Sequence, residues 1–339
     1  METWILKGAK CLVNEPQSVP EISPTQVKVK VSHLLLTEFD EMLYSGATQI
    51  DYPKIPGRAA VGIVTEVGEN CYGVENGARV YFKPARACHE CLACKSGKSK
   101  DCTSCLLAGK DFDGFMRDFV VCEYTEIAPL PDSVDVNHAL CIENIGIAEN
   151  IYDKLNLSAG QRVAVIGADF NGIITAQVLM YHKLVPVVID NNPENLERAR
   201  SYGVYYAFAA DDELISHVMS ATCGNLCDAV IYCASAHMPL SIAPEIVGIG
   251  KTFVISCNAS MSDNLPTSAI LEKGLTVIGV SNAYGYTDAV INMLVHGAVN
   301  IDSFEKEVLS EYNPREILEE RCAHPSENRN KLTIFKMVI

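Results

Sequence analysis

Val163-Ala164-Val165-Ile166-Gly167-Ala168-Asp169-Phe170-Asn171-Gly172 reads as an apolar strand, a glycine turn and the start of a helix. In a parallel α/β sheet that order brings a helix N-terminus, with its free N–H groups, up to a phosphate. Downstream, residues 173–181 have helical spacing, and residues 185–190 form a strand that ends on Asp190. Asn192 then offers an N-cap, Pro193 suits the first helical turn and Gly203 closes the helix. Residues 229–232, 252–255 and 276–278 are further strands between helical stretches, and this alternation predicts a doubly wound parallel sheet.

Gly167, Asp169, Gly172 and Asp190 are the candidate cofactor-binding residues. Asp190 lies about twenty residues past the turn, where a carboxylate accepts hydrogen bonds from adenosine ribose and repels a 2′-phosphate, which favours NAD over NADP. Asp169, however, stands where the dinucleotide-binding pattern G-x-G-x-x-G has its second glycine, the one that lets backbone approach pyrophosphate. A like-charge pair about 4 Å apart costs about 1–4 kcal/mol between bulk water and a surface-like dielectric, or one to three decades of affinity. Either Asp169 turns outward and binding is only weakened, or the domain keeps the fold after its cofactor site has decayed.

The chain has 339 residues, which suggests about two domains. With 27 Lys+Arg against 42 Asp+Glu the net charge is −15, a surface that repels nucleic-acid phosphates and anionic lipid. No apolar run approaches a membrane-spanning length, and the first residues lack the order of a signal peptide. A cytoplasmic location follows as an expectation, and fourteen cysteines in such a reducing compartment read as buried thiols or metal ligands. The first third is rich in short β-type runs (27–31, 62–67, 79–82 and 119–124) punctuated by Gly and Pro, which predicts a barrel-like all-β unit. The stretch from about Ala283 either returns to that unit or caps the second.

Cys88, Cys91, Cys94 and Cys102 follow the pattern C-x2-C-x2-C-x7-C. Four thiolates at this spacing converge on a tetrahedral zinc, and a closed four-sulfur site leaves no position for substrate, so such a zinc is structural. An iron–sulfur run of the bacterial type would have a shorter last gap and a following Pro, whereas Thr103 follows here. A set of free thiols is the other alternative. Lys95, Lys98 and Lys100 interleave with the cluster, and Cys105 is a spare thiol beside it.

The barrel-like unit, the cysteine lobe and the Rossmann unit together resemble the medium-chain dehydrogenase/reductase superfamily, in its zinc-containing alcohol and polyol dehydrogenase branch. The resemblance runs through Ile55-Pro56-Gly57, Gly62-Ile63-Val64, Val67-Gly68, Asp113-Gly114-Phe115, Phe119-Val120-Val121, Pro129-Leu130-Pro131 and Val165-Ile166-Gly167. It implies an α/β protein with two domains. One is a GroES-like β-barrel catalytic domain from residues 1–145 plus 284–339, with the zinc lobe at 84–105. The other is a Rossmann coenzyme domain at 146–283. It further implies a structural and a catalytic zinc, NAD, a small alcohol or carbonyl substrate, and a homodimer or homotetramer.

The catalytic residues depart from the family pattern. The family's first zinc ligand is a Cys in C-x-x-D, and here that segment is Thr37-Glu38-Phe39-Asp40. The family's G-H-E is Gly57-Arg58-Ala59, which places Arg58 at the His ligand, while Glu143 matches the glutamate of the polyol branch. A Thr hydroxyl stays protonated, and a guanidinium has no lone pair to donate. Thr37, Asp40, Arg58 and Glu143 are therefore read as a catalytic-site set in which Arg58 pairs with Asp40 and Glu143 in place of zinc. The alternative is that Arg58 swings to solvent. Tyr44 either lines the substrate site or packs, and Cys141 is the one other candidate ligand near Glu143 in sequence. The expected function is NAD-dependent hydride transfer with structural zinc only. The alternative function is a non-catalytic member with a binding or scaffolding role.

Overall fold

The computed structural model describes residues 1–234, 238–256, 264–310, 313–324 and 330–337. Contacts divide the chain into one unit of Met1–Glu143, Tyr284–His296 and Phe304–Ile339 and another of Asn144–Ala283 and Gly297–Ser303. Among the described residues no helix is long and apolar enough to cross a membrane.

The second unit is built on a six-stranded parallel sheet. Its strands run in the order Tyr206–Ala209, Val185–Asp190, Arg162–Ile166, Cys227–Tyr232, Val247–Ile255 and Thr276–Gly279. Val163, Ala164, Val165 and Ile166 are all fully buried, which is why this central strand reads as an unbroken apolar run rather than an alternation. The chain order reverses direction on either side of this strand, so its carboxyl end is the switch point where α/β sheets bind ligands. Gly167 sits at that end with φ 97°, and a Cβ there would meet the Ala234 backbone at 2.8 Å. The edge strand Tyr206–Ala209 lies outside the sequence reading, since its four residues carry too little pattern to mark a strand.

The first unit holds, among the described residues, a seven-stranded sheet. Its longest strand, Gln26–Leu35, buries Val27, Val29 and Val31 and turns Lys28 and Lys30 outward, as a sheet with one face on the core requires. Ala59–Val67 and Phe119–Glu123 pair antiparallel on its two sides. The chain then returns: Lys331–Lys336 pairs antiparallel with the end of Gln26–Leu35 and parallel with Glu305–Leu309. That pairing places most of the C-terminal stretch in the first unit. Gly297–Ser303 groups with the second unit, where Gln177 and Asn300 exchange hydrogen bonds of 2.8 and 2.9 Å.

Candidate functional site

Arg58 follows a constrained turn. Gly57 has φ 95°, and a Cβ there would meet the Met116 backbone nitrogen at 2.8 Å, so the Pro56-Gly57 corner fixes where Arg58 begins. The side chain turns inward, and only 4% of the residue is exposed. Its Nε donates to Glu143 Oε1 at 2.7 Å. Nη2 also lies against that oxygen, without a well-directed hydrogen bond. The guanidinium carbon stands 4.6 Å from the Phe39 ring centroid, a cation–π distance. Burial pushes the Glu143 carboxyl up, against the pull of Arg58.

Thr37 and Asp40 are brought together differently from the sequence expectation. Thr37 caps the helix Glu38–Ser45 in a reciprocal box with Asp40. Asp40 Oδ2 accepts from the Thr37 backbone N–H at 3.0 Å and from its hydroxyl at 2.7 Å, and Oδ1 accepts from Gly57 N–H at 2.9 Å. The expected direct Arg58–Asp40 pair is therefore absent: both Asp40 oxygens serve backbone and hydroxyl donors, and Arg58 acts on Asp40 only through space, opposing the burial that lifts its carboxyl. Tyr44 is buried, with its hydroxyl 3.1 Å from Glu319, which is a packing and clasp position. Cys141 gives its thiol to the Asn137 carbonyl at 3.3 Å, and burial pushes it up to about 12. Phe39 and Tyr81 escaped the sequence reading. Tyr81 is fully buried, and its pKa is pushed up by burial and by the nearby Glu143. Phe39 lies within the segment matched to C-x-x-D, but nothing in the sequence says that its ring faces Arg58.

A catalytic zinc does not fit these residues. The Thr37 hydroxyl is spent on Asp40, Glu143 is spent on Arg58, and Arg58 offers donors only. The cysteine lobe does fit zinc. The four sulfurs of Cys88, Cys91, Cys94 and Cys102 lie within 4.8 Å of one another, with contacts of 3.5, 3.9 and 4.0 Å. Sulfurs about 2.3 Å from a tetrahedral zinc stand about 3.8 Å apart. Backbone N–H groups hold the Cys91 thiol down at about 5, while burial and the neighbouring thiols push Cys94 up to about 12. Cys105 stands outside the group, its thiol on the Arg86 carbonyl at 3.2 Å and pushed by burial up to about 11.

In the second unit, Gly172 packs so closely under the turn that a Cβ would strike the Gly167 carbonyl oxygen at 1.8 Å. The turn and the helix–strand packing thus suit a dinucleotide. Asp169 opposes its pyrophosphate: it is buried, and its carboxylate caps the helix Phe170–Tyr181 by accepting from Gly172 N–H at 3.3 Å. Asp190 ends its strand fully buried, with oxygens accepting from Ala168 N–H at 2.6 Å and Asn192 N–H at 2.8 Å.

Comparison with known proteins matches residues 23–132 to the alcohol dehydrogenase GroES-like domain and residues 172–295 to the zinc-binding dehydrogenase domain. The chain belongs to the medium-chain dehydrogenase/reductase superfamily. Within it, the chain sits in the zinc-type alcohol and polyol dehydrogenase-like branch of oxidoreductases. A zinc-type alcohol dehydrogenase-like protein of Haemophilus influenzae is 24% identical over 284 residues, 83% of each chain. "Probable D-xylulose reductase A" of Aspergillus fumigatus is 24% identical over 315 residues, covering 88% of this chain and 87% of its own. A Sinorhizobium meliloti protein described as a zinc-binding dehydrogenase and solved with NADP superposes with a TM-score of 0.85 at 19% identity, over 99% of this chain and 98% of that one.

Proposed function

We propose that this medium-chain family member is an NAD-linked oxidoreductase of a small alcohol or carbonyl compound that carries zinc only in its four-cysteine lobe. The buried Arg58–Glu143 pair carries the proposal, because it puts a fixed cation where the family pattern has a zinc ligand. The nicotinamide, when bound, supplies the hydride acceptor or donor. The chain's own part is electrostatic. A guanidinium held by Glu143 and the Phe39 ring is preorganised to stabilise negative charge developing on a substrate oxygen, the task a metal performs as Lewis acid. Its fork of donors also suits a carboxylate or phosphate on the substrate. Asp40 keeps the Thr37 and Gly57 backbone in place rather than moving a proton. The proposal extends to a cytoplasmic homodimer or homotetramer and to the two-domain division at residues 145 and 284.

A second reading, a non-catalytic member with a binding role, is favoured by Asp169 and Asp190. Both carboxylates are buried and already engaged by backbone donors where a dinucleotide's phosphates and ribose would bind. Titration with NADH, followed by nicotinamide fluorescence, separates the two. The expected result is saturable binding in the micromolar range with one zinc per chain by metal analysis. No binding at millimolar NADH, with the one zinc retained, overturns the enzyme reading in favour of the second. Two zinc ions per chain overturn the assignment of zinc to the lobe alone.

A further inference from the structure

The second unit has a cavity of about 610 Å³ at the amino ends of three of its parallel strands, the end of the sheet opposite Gly167 and Asp190. Arg162, Asp228 and Lys251 line it from these strands, and the loop after the helix Leu214–Ala221 closes it. We propose that this cavity is a second ligand site, for a small organic anion that carries a carboxylate or phosphate on a short apolar body.

Several observations meet there. The strand pairing is interrupted at the cavity: Cys227 pairs with Val247 but Ala229 pairs with Thr252, two steps on one strand against five on the other. The extra residues bulge outward, leaving Ile249 80% exposed and bringing Lys251 to the rim. Such an interruption of the ladder re-aims the side chains that flank it. The facing loop is strained, with two non-glycine residues, Cys223 (φ 54°) and Leu226 (φ 42°), in the left-handed region. Such strain persists where the surroundings impose it, and it gathers at ligand sites. The charges are unbalanced toward the positive. Two basic side chains, Arg162 and Lys251, line the cavity against one carboxylate, Asp228, which accepts from the Arg162 backbone N–H at 3.0 Å and from Lys251 Nζ at 3.1 Å. The Arg162 Nε is buried with no hydrogen-bond partner, a donor left unspent. In a chain of net charge −15, a cation-rich cavity with Met219, Leu226 and Ile249 beside it selects an anion with an apolar portion.

Calorimetric titration of the zinc-loaded full-length protein with phenyl phosphate, benzoate and neutral phenol, at fixed ionic strength, tests this. Saturable binding of at least one anion and none of phenol is expected, and the anion that binds names the source of the charge. Lys251→Gln and Ile249→Asp, both at well-exposed side chains, should each weaken that binding at least tenfold. Ile249→Asp adds a repelling charge without touching the packed sheet. Absence of saturable binding by either anion overturns the proposal. So does binding that both variants leave unchanged, because the anion then sits elsewhere.

Discussion

Arg58 and Glu143 lie 85 residues apart in the chain and meet in a buried ion pair, Nε to Oε1 at 2.7 Å, with side-chain exposures of 5% and 7%. Two charges removed from water are tolerable only together. Each group is therefore defined by the other, and the pair sits among Phe39, Asp40 and Tyr81.

Breaking the pair from one side leaves an uncompensated buried charge, which costs about 3–5 kcal/mol. Glu143→Gln should lower the unfolding free energy by about that amount in a urea titration. The double variant Arg58→Met/Glu143→Leu removes both charges and should recover most of the loss. Equal destabilisation by the single and double variants would contradict the buried-pair account.

Arg58 and Thr37 offer no good zinc ligand where the family pattern has two. Exchanging them for the residue types of the family pattern, Thr37→Cys with Arg58→His, frees Glu143 and supplies a thiolate and an imidazole. Metal analysis after dialysis against zinc should rise from one to two zinc ions per chain. A ratio that stays at one would show that something besides these two side chains closes the site.

Asp169 should limit dinucleotide affinity. Asp169→Gly removes one negative charge and the bulk at the phosphate-facing helix end, and a glycine N-cap costs only a few tenths of a kcal/mol. Removing a repulsion of about 1–4 kcal/mol should tighten NADH binding by about ten- to a thousandfold. Unchanged affinity would mean that the carboxylate already stands clear of the pyrophosphate.

Burial lifts the Asp40 carboxyl above the ordinary range, although Thr37, Gly57 and Arg58 oppose the shift. A carboxyl with a raised pKa in the folded state binds its proton more tightly there than in the unfolded chain. Its contribution to stability is thus full at low pH and is lost as pH rises through the folded value. Asn at this position does not titrate. The stability of the parent chain minus that of Asp40→Asn, from urea titrations between pH 4 and 7, should therefore fall as pH rises. A difference that grows with pH would reverse the assigned direction.

The sequence by itself determined what depends on near neighbours. The strand–turn–helix at Gly167 follows from an apolar run, a residue free to take positive φ and an adjacent cap. Asn192 and Pro193 open the next helix for equally local reasons, with Asn192 accepting from Glu194 N–H at 2.9 Å. The cysteine lobe is legible because its ligands are close together in the chain and one loop can gather them. Thr37 and Arg58 are likewise read from two short segments, and the resemblance to the family implies that they stand where zinc ligands would.

Only the tertiary structure decided how distant side chains share their bonds. Asp40 has one negative charge and a few lone pairs, and its own helix cap and Gly57 use them, so Arg58 goes to Glu143 alone. Asp169 turns inward because the helix it precedes opens on backbone N–H groups that need an acceptor. The return of Lys331–Lys336 to Gln26–Leu35 joins residues about three hundred positions apart, a pairing that no local period encodes. Hydrogen-bond capacity and burial are properties of the whole packed chain, and they settle which of several locally plausible partners each charge takes.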